Sequence, residues 1–332
     1  NTTLQIDYNT ASSGHGNDAS AWLFTDPGTD VSITNLTLDG SGYDIYTGLR
    51  FKDSGEVNNV VFYNIKHSAS PYLGIAVQVQ DGNVDILNSE FSEIGRIGVH
   101  YRNGVIPGAV ISGIYDGNTY TGKGDGDWLD YALDISGGTT VTISNSTITN
   151  NTGVASSDGS TSAGILVTSY FPTPANSVPN NVTITNNTIS DNTVGIAVGF
   201  NADDVSVVTA NYNNIVNNTA FGISSTGPMV DAAFNWWGDA AGPSGVGSGS
   251  GDAVSGDVDY CSWLDNAWDA MPVPGMPVDV VPIAICVSEY TAVLSPDGTV
   301  TILAEDLDNG SYDECEAVTL TLDKELFTCD DV

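Results

Sequence analysis

Basic side chains crowd one part of the chain and suggest acid–base chemistry there. Six of the seven Lys and Arg residues lie between positions 50 and 123. The apolar repeat of the chain aligns some of them with other polar side chains on one outer face: Arg50, Lys52, Gln78, His100, Arg102 and Asp134. A cation on a carboxylate and a base near its α-carbon are what β-elimination requires. In that role Lys52 or Arg102 would neutralise a bound acid. His100 and Asp134 would then transfer the proton.

The same polar face has a simpler interpretation as an ordinary solvated surface. The chain carries 7 Lys plus Arg against 41 Asp plus Glu, a net charge of −34. A few cations then offset acidic charge on an exposed sheet, where polar side chains are common. The sequence has no HExxH motif, no phosphate loop and no ordered Ser, His and Asp set. We therefore favour the solvated surface and lean against an enzyme, with the binding or cleavage of a polysaccharide as the alternative.

Two short runs of carboxylates have spacings that suggest a hard cation. The first run places acids at i, i+2 and i+5, and the second surrounds an Asn-Gly turn. Their members are Asp125, Asp127 and Asp130 in the first, and Asp306, Asp308 and Asp313 in the second. Calcium takes several such oxygens, but neither run matches the twelve-residue calcium loop. Ca²⁺ is therefore the one cofactor that the sequence suggests, and solvated acidic turns are the interpretation that we favour.

The elements that position these side chains are short repeated strands. A Val-x-Ile-x-Asn-x-x-apolar motif alternates with a Gly followed by alternating apolar residues. Copies of the first motif begin at Val31, Val84, Val141 and Val182, and copies of the second begin at Gly48, Gly74, Gly98, Gly164, Gly195 and Gly222. The period of two and the Gly, Asn, Ser and Asp turns indicate strands rather than helices. A unit of this size buries its apolar face only by stacking on its neighbours.

Stacked parallel strands at this repeat predict an all-β chain, a parallel β-helix of about seven to nine coils with almost no helix. Aligning the second motif points one apolar column inward: Leu49, Ile75, Val99, Leu133, Ile165, Ile196 and Ile223. The outward column beside it begins with Arg50, Ala76, His100 and Asp134. The next outward column begins with Lys52, Gln78, Arg102 and Ser136. The polar face therefore spans the first four coils of this alignment.

The asparagines of the first motif are predicted to turn the chain where a strand ends. They are Asn35, Asn88, Asn145 and Asn186. Asn tolerates the left-handed conformation, and an inward amide can bond the Asn of the next coil. Three of them lie in N-x-Ser/Thr sequences, but an inward side chain cannot carry a glycan. The expected exposed candidates for glycosylation are instead Asn181, Asn217 and Asn309.

The stacked N-x-T-I and G-I-x-V units resemble the right-handed parallel β-helix of the pectate-lyase-like superfamily over about residues 20 to 265. They are most similar to its surface-protein and carbohydrate-binding branch. The run from Phe234 to Pro243 is similar to a signature that closes such helices in secreted bacterial proteins. Trp236 and Trp237 are predicted to cap the last coil, as a solenoid requires. A sugar-stacking platform is the alternative.

The resemblance implies a fold more strongly than an activity. Members of the superfamily that cleave uronates use Arg or Lys as the base and often hold Ca²⁺ with carboxylates. The Arg-containing signatures of those lyases do not occur in this sequence. The closely spaced Asp pairs of the pectin-hydrolase branch do not occur either.

The C-terminal part of the chain has a different character. Residues 1–270 form the predicted β-helix, and the Pro-rich residues 271–282 a stiff linker. Residues 283–332 resemble the first half of an immunoglobulin-like module of the hyalin-repeat type, found in large secreted proteins of Bacteroidetes. We expect Cys315 to pair with Cys329 across two neighbouring strands of that module. The resemblance implies that Cys286 pairs in the second half of the module, and Cys261 is the other candidate within the chain.

Charge and composition limit the partners of the protein. So acidic a chain lacks the cations that binding to nucleic acid or anionic lipid requires. Its longest apolar stretch, residues 280–287, is too short to insert into a membrane. Cysteines crowded near the C-terminus are typical of an oxidising compartment. We therefore expect an extracellular or cell-surface location.

These observations lead to two functional hypotheses. The first is a structural or adhesive surface protein, with the β-helix as a rod and the immunoglobulin-like module as a spacer. The second is a polysaccharide lyase or hydrolase. An incomplete module would expose strand edges. The expected partners are therefore other copies of the chain, a longer chain beyond Val332, or a polysaccharide.

Overall fold

The chain forms two compact units, residues 1–277 and residues 278–332. In the first unit, short strands recur about once per coil in each of three sheets. The structure, a computed structural model, describes residues 2–12, 14–170, 178–278 and 280–331. The boundary between the units falls within the Pro-rich segment 271–282. Each unit is described by itself.

Three parallel sheets form the first unit. Sheet A contains β1 (Thr2–Gln5), β4 (Leu36–Asp39), β7 (Val61–Tyr63), β10 (Glu90–Ser92), β13 (Thr119–Thr121), β16 (Thr147–Thr149), β19 (Thr188–Ser190) and β22 (Asn214–Val216). Sheet B contains β2 (Ala21–Phe24), β5 (Thr47–Phe51), β8 (Ile75–Val79), β11 (Ile97–Arg102), β14 (Tyr131–Ser136), β17 (Ala163–Thr168), β20 (Val194–Val198), β23 (Phe221–Ser225), β25 (Pro243–Gly245) and β26 (Gly251–Ser255). Sheet C contains β3 (Val31–Thr34), β6 (Gly55–Asn58), β9 (Gly82–Leu87), β12 (Ile111–Asp116), β15 (Thr140–Ser144), β18 (Asn181–Thr185), β21 (Val207–Asn211), β24 (Val230–Asp231) and β27 (Val258–Asp259).

The predicted all-β parallel helix is confirmed. Sheet A has eight strands, which makes about eight coils. One 3₁₀ turn, Asp18–Ser20, is the sole helical element among the described residues of this unit. Apolar side chains stack inside the coils, as shown by the rings of Phe62 and Phe91, which lie parallel with their centroids 4.9 Å apart.

One part of the predicted alignment is wrong by two residues. Leu49 stacks on Val77, and Val77 stacks on Val99, so Val77 takes the place predicted for Ile75. Gly74 has a φ of +117° and lies in the turn before β8, so it is not the counterpart of Gly48. Because side chains alternate with a period of two, this shift leaves every side chain on its predicted face.

A ladder of polar side chains runs inside the coils at the turn between sheets C and A. The backbone N–H of Asn187 donates to Asn213 Oδ1 at 3.0 Å, and that of Asn213 donates to Asn235 Oδ1 at 2.8 Å. All three side chains are fully buried. The ladder therefore satisfies backbone groups that the turn would otherwise leave without partners in the core.

The predicted ladder residues lie one position too early. Asn35, Asn88, Asn145 and Asn186 have positive φ, as expected, but the first three are exposed and Asn186 is half-buried. This left-handed residue bends the chain and interrupts the alternation of side chains, so the next residue points inward. The exposure of Asn35 and Asn145 removes the reason for excluding a glycan there.

Tryptophans pack among the last coils of the β-helix. Trp237 is fully buried, and Trp236 is half-buried with its carbonyl accepting from the Ile215 N–H at 2.8 Å. The Trp263 indole N–H donates to the Ala240 carbonyl at 3.0 Å. The full burial of Trp237 disfavours a sugar-stacking role for that ring, and the capping interpretation stays a prediction, because strands β25–β27 follow that residue.

The second unit contains one small antiparallel sheet. It pairs β28 (Thr299–Thr301) with β29 (Leu326–Thr328), and it has a short helix, α1 (Ala304–Leu307), and a 3₁₀ turn at Cys329–Asp331. None of its described residues is buried. The immunoglobulin-like module therefore stays a prediction, of which this sheet shows only an antiparallel strand pair.

The predicted bridge between Cys315 and Cys329 is wrong. Cys261 and Cys315 are each disulfide-bonded, whereas Cys286 and Cys329 are exposed free thiols. Cys329 follows β29 directly, and its Sγ lies 3.6 Å from the carbonyl oxygen of Gly298, just before β28. Its thiol thus faces the opposing strand of the small sheet.

Candidate functional site

Four polar side chains lie next to one another on the outer face of sheet B. Arg50 pairs in register with Gln78, and Gln78 with His100. His100 pairs in turn with Asp134. Gln78 thus occupies the position in this column that we had given to Ala76. The next outward column contains Arg102 and Ser136 side by side.

The N-terminal segment, residues 14–20, covers one end of this column. Arg50 is fully buried beneath it and donates to the Asn17 carbonyl at 2.6 Å and to Ser20 Oγ at 2.8 Å. Its Nε also donates to Gln78 Oε1 at 3.1 Å. Lys52 donates to Asp18 Oδ1 at 3.1 Å. Arg50, Lys52 and Gln78 therefore hold the N-terminal segment in place. Neither the solvated surface that we favoured nor the alternative carbohydrate surface describes Arg50 and Gln78, which are fully buried.

Replacing Arg50 tests this structural role. Arg50→Met keeps much of the side-chain volume but removes the N–H groups that donate to Asn17, Ser20 and Gln78. We therefore expect the free energy of unfolding to fall by about 2 kcal/mol. Urea denaturation measures the loss, and hydrogen exchange shows whether residues 14–20 open. The control Lys52→Met loses a partly exposed ion pair and costs under about 1 kcal/mol. Equal losses in the two variants would contradict the assignment.

The other end of the column opens into a pocket of about 270 Å³, which we call the arginine pocket. Its polar lining consists of His15, Tyr46, Tyr72, Arg96, His100, Arg102 and Asp134. His15 comes from the N-terminal segment, and Arg96 directly precedes β11. The remaining polar residues lie on or beside strands of sheet B, so the rigid part of the fold fixes most of the pocket.

His15 connects the N-terminal segment to the sheet. One ring nitrogen lies 3.1 Å from the Tyr46 hydroxyl and the other 2.7 Å from Gln78 Nε2. Its ring meets that of His100 edge-on, with centroids 6.0 Å apart. Burial lowers the pKa of His15 to about 4, and the charges of Arg102, Arg50 and Arg96 act in the same direction. His15 is therefore neutral at physiological pH.

The buried His100 and the half-buried Asp134 form a pair with shifted proton affinities. His100 Nε2 lies 3.7 Å from Asp134 Oδ2 and 3.5 Å from Ser136 Oγ. Burial, reinforced by Arg102, His15 and Arg96, holds the pKa of His100 well below its usual range. Burial raises the pKa of Asp134 to about 6, although Arg96 and Arg102 oppose that rise. Such opposed shifts in a cleft are typical of functional sites.

His100 Nδ1 and Arg96 Nε at the pocket are buried without a hydrogen-bond partner in the described structure. Buried polar atoms usually have partners, and an unsatisfied one costs about 1–3 kcal/mol. Arg96 is a donor only, whereas neutral His100 can donate or accept at Nδ1 depending on its tautomer. The pocket thus presents at least one donor suited to a ligand oxygen.

Five of the six carboxylates predicted to bind calcium accept hydrogen bonds from other groups of the protein. Asp127 accepts from Ser156 and Tyr72, and Asp130 from Tyr120 and Lys123. In the second run, Asp306, Asp308 and Asp313 accept from backbone N–H groups of Leu303, Ser311 and Cys315, respectively. Asp125 is exposed. Across the described ranges, no three His, Cys, Asp or Glu side chains form a group able to hold a metal ion, so calcium gains no support.

The glycosylation candidates are accessible. Asn181, Asn217 and Asn309 are all exposed, as predicted. Their modification stays a prediction.

Sequence reasoning missed His15, Tyr46 and Arg96. His15 and Tyr46 lie outside the outward columns, so the repeat gave no reason to place them beside His100. Arg96 precedes the first residue of β11, where the alternation has not begun. The scarcity of arginine could have indicated this site. The chain has three arginines, Arg50, Arg96 and Arg102, and all three lie around it.

Comparison with known proteins identifies the fold family. The family described as the right handed beta helix region matches residues 21–233. No curated protein and no solved structure matches the chain. No helix among the described residues is long and apolar enough to cross a membrane. Because the family match spans more than half of the 332 residues, the chain belongs to the right-handed β-helix family, with the handedness that the sequence predicted.

Proposed function

We propose that this protein is an extracellular carbohydrate-binding β-helix that holds an acidic sugar unit in the arginine pocket. The observation that carries the proposal is the convergence of Arg50, Arg96 and Arg102, all the arginines of the chain, around His15. With 41 Asp and Glu residues in the chain against 7 Lys and Arg, most of the surface repels an anion. Local positive charge at this pocket therefore selects where an anion binds.

The chemistry of the pocket suits a carboxylate on a sugar ring. Arg50 is occupied by the N-terminal segment, so Arg96 and Arg102 are the guanidinium groups placed to face the ligand. A planar guanidinium binds a carboxylate through two parallel hydrogen bonds. The rings of Tyr46 and Tyr72 add apolar surface for the sugar.

The β-helix supplies a rigid support for this pocket. Its stacked coils fit the surface or adhesive role predicted from the sequence, in which a rod presents a binding site and the C-terminal unit acts as an immunoglobulin-like spacer. In this proposal the protein is secreted or attached to the cell surface, and the polysaccharide is its partner.

Binding to polymers of known charge tests the proposal. We expect the protein to bind polygalacturonate and not neutral dextran in isothermal titration calorimetry. Arg96→Met removes one of the two guanidinium groups that face the ligand and should weaken binding about tenfold. Lys324→Met removes the same charge from the second unit and should leave the affinity unchanged. Equal binding of dextran, or full affinity in Arg96→Met, would contradict the proposal.

The His100–Asp134 pair favours a second candidate function, cleavage of the bound polysaccharide by β-elimination. Neutral His100 can take the proton from the carbon next to the carboxylate, while Arg96 and Arg102 neutralise the developing charge. The bond from the β-carbon to the glycosidic oxygen then breaks, and that oxygen takes up a proton. Sustained growth of the ultraviolet absorbance of unsaturated uronate would show a lyase. Saturable binding without such growth would leave a binding protein.

A further inference from the structure

A second and larger pocket, of about 480 Å³, opens on the loops that lead into sheet B. We call it the Trp128 pocket, and its lining includes Tyr43, His67, Leu73, Lys123 and Trp128. Leu73 also lines the arginine pocket. The two pockets therefore share one wall residue and are neighbours on the fold.

His67 lines this second pocket and has a buried ring nitrogen without a partner in the described structure. Its side chain is buried, with 8% exposed, and its Nδ1 accepts from the Ala69 N–H at 3.1 Å. In the neutral ring the proton is then on Nε2. No described residue accepts a hydrogen bond from that nitrogen. A buried donor without an acceptor is uncommon, and a ligand oxygen in the pocket would satisfy it.

The cations of the Trp128 pocket are already neutralised. Lys66 forms an ion pair with Glu93. The Lys123 ammonium donates to the Ile94 carbonyl at 2.6 Å and to Asp130 Oδ2 at 3.2 Å. Asp44 also lines the pocket and repels anions. An acidic sugar is therefore disfavoured here, in contrast to the arginine pocket.

Trp128 has a fixed position in the pocket wall. Its indole N–H donates to the Gly124 carbonyl at 3.0 Å. Gly126 and Gly153 pack so closely against it that a Cβ on either would lie 2.3 Å from a ring atom. An aromatic ring held in this way offers apolar area to a sugar at little cost in conformational entropy.

We infer that the Trp128 pocket binds an uncharged sugar unit next to the acidic unit in the arginine pocket, so that the protein selects a polysaccharide in which acidic and uncharged units alternate. The inference rests on the proposed function. A hydroxyl or acetamido oxygen of the uncharged sugar accepts from His67 Nε2, and its ring lies against Trp128.

Two oligosaccharides of equal length test the inference. One alternates glucuronate with N-acetylglucosamine, and the other is oligogalacturonate, in which every unit is acidic. We expect calorimetry to show at least about tenfold tighter binding of the alternating oligosaccharide. Trp128→Ala should lower that affinity to the level of oligogalacturonate and leave oligogalacturonate binding unchanged. Trp128→Phe keeps an aromatic ring and should keep most of the preference, while His67→Leu removes the donor and should lose part of it.

The outcomes separate this inference from the proposed function. The alternating specificity is overturned if the protein binds the two oligosaccharides with equal affinity, or if Trp128→Ala lowers both affinities equally. Either result leaves the proposed binding at the arginine pocket in place. Arg96→Met should weaken both oligosaccharides. If neither binds the unmodified protein, the proposed function fails, and this inference fails with it. Thermal unfolding of each variant shows that it is folded, and His67→Leu decides the question if Trp128→Ala does not fold.

Discussion

The affinity for an acidic saccharide should fall about thirtyfold between pH 5 and pH 7.5, and Asp134→Asn should abolish this dependence. Ionised Asp134 competes with the ligand carboxylate for Arg96 and Arg102, whereas protonated Asp134 does not. Burial raises the pKa of Asp134 to about 6. Its neutral fraction is then about nine-tenths at pH 5 and about one-thirtieth at pH 7.5, and the apparent affinity follows the competent fraction.

The other groups that face Asp134 keep the same protonation state between pH 5 and pH 7.5. The pKa of His15 is lowered to about 4, and that of His100 lies well below its usual range, so both rings stay neutral. Burial raises the pKa of Tyr46, so its hydroxyl stays protonated. Arg96 and Arg102 stay charged, because arginine does not lose its proton in this range. Asp134 is therefore the group whose titration the binding should follow.

Calorimetry at several pH values checks this expectation. Asp134→Asn should bind at pH 7.5 about as tightly as the unmodified protein does at pH 5. Asp252→Asn is a matched control, because Asp252 is another acid whose pKa is raised by burial but it lies near Asn218 instead. The control should keep the full pH dependence. An unchanged slope in Asp134→Asn would refute the competition.

The same variant should be more stable than the unmodified protein at pH 7. The folded-state pKa of Asp134 lies above its value in the unfolded chain, so the folded state binds the extra proton between about pH 4 and pH 6. Stability is therefore lost as the pH rises through that window. Asp134→Asn avoids the loss and should gain about 1–3 kcal/mol at pH 7, with no gain below about pH 4. Urea denaturation at pH 4 and pH 7 measures both values.

The sequence was sufficient to predict the coils because each one repeats the same apolar pattern. The alternation within β11 and β14 placed His100 and Asp134 on one face, and parallel stacking made them neighbours. The same reasoning was wrong by two residues at Gly74, because a turn glycine and a strand glycine look alike in a sequence. The period of two limited that error, since Gln78 still faces outward.

Contacts that depend on non-repeating segments could not be predicted. Residues 14–20 match neither motif, so nothing in the sequence showed that they would cover Arg50 or bring His15 to His100. The ladder asparagines were placed one position early because a residue with positive φ interrupts the alternation of inward and outward side chains. Asn187 therefore points inward in place of Asn186. Cysteine pairing depends on distances that spacing alone does not determine.

The buried charge pair beneath the Trp128 pocket should be the most costly to disrupt, and Lys123→Met should lower the free energy of unfolding by about 3–5 kcal/mol. Asp130 is fully buried and accepts from the Tyr120 hydroxyl at 2.5 Å and from the Lys123 N–H at 2.7 Å. Without the ammonium, its charge stays in the core uncompensated. The Ile94 and Gly95 carbonyls lose a donor as well.

The pH dependence of this loss identifies its cause. Burial already raises the pKa of Asp130, and Lys123 opposes that rise, so removing Lys123 raises the pKa further. The folded variant then takes up a proton as the pH falls, and its stability declines as the pH rises through the interval between the unfolded and folded pKa values. The defect measured by urea denaturation should be larger at pH 8 than at pH 5.

Two further variants make the test specific. Lys66→Met breaks an ion pair between partly exposed side chains, so it should cost under about 1 kcal/mol. Adding Asp130→Asn to Lys123→Met removes the uncompensated charge and should recover part of the loss, because an uncharged amide is less costly to bury than an unpaired carboxylate. A loss that is independent of pH and unaffected by Asp130→Asn would mean that Lys123 stabilises the fold through its contacts with the Ile94 and Gly95 carbonyls alone.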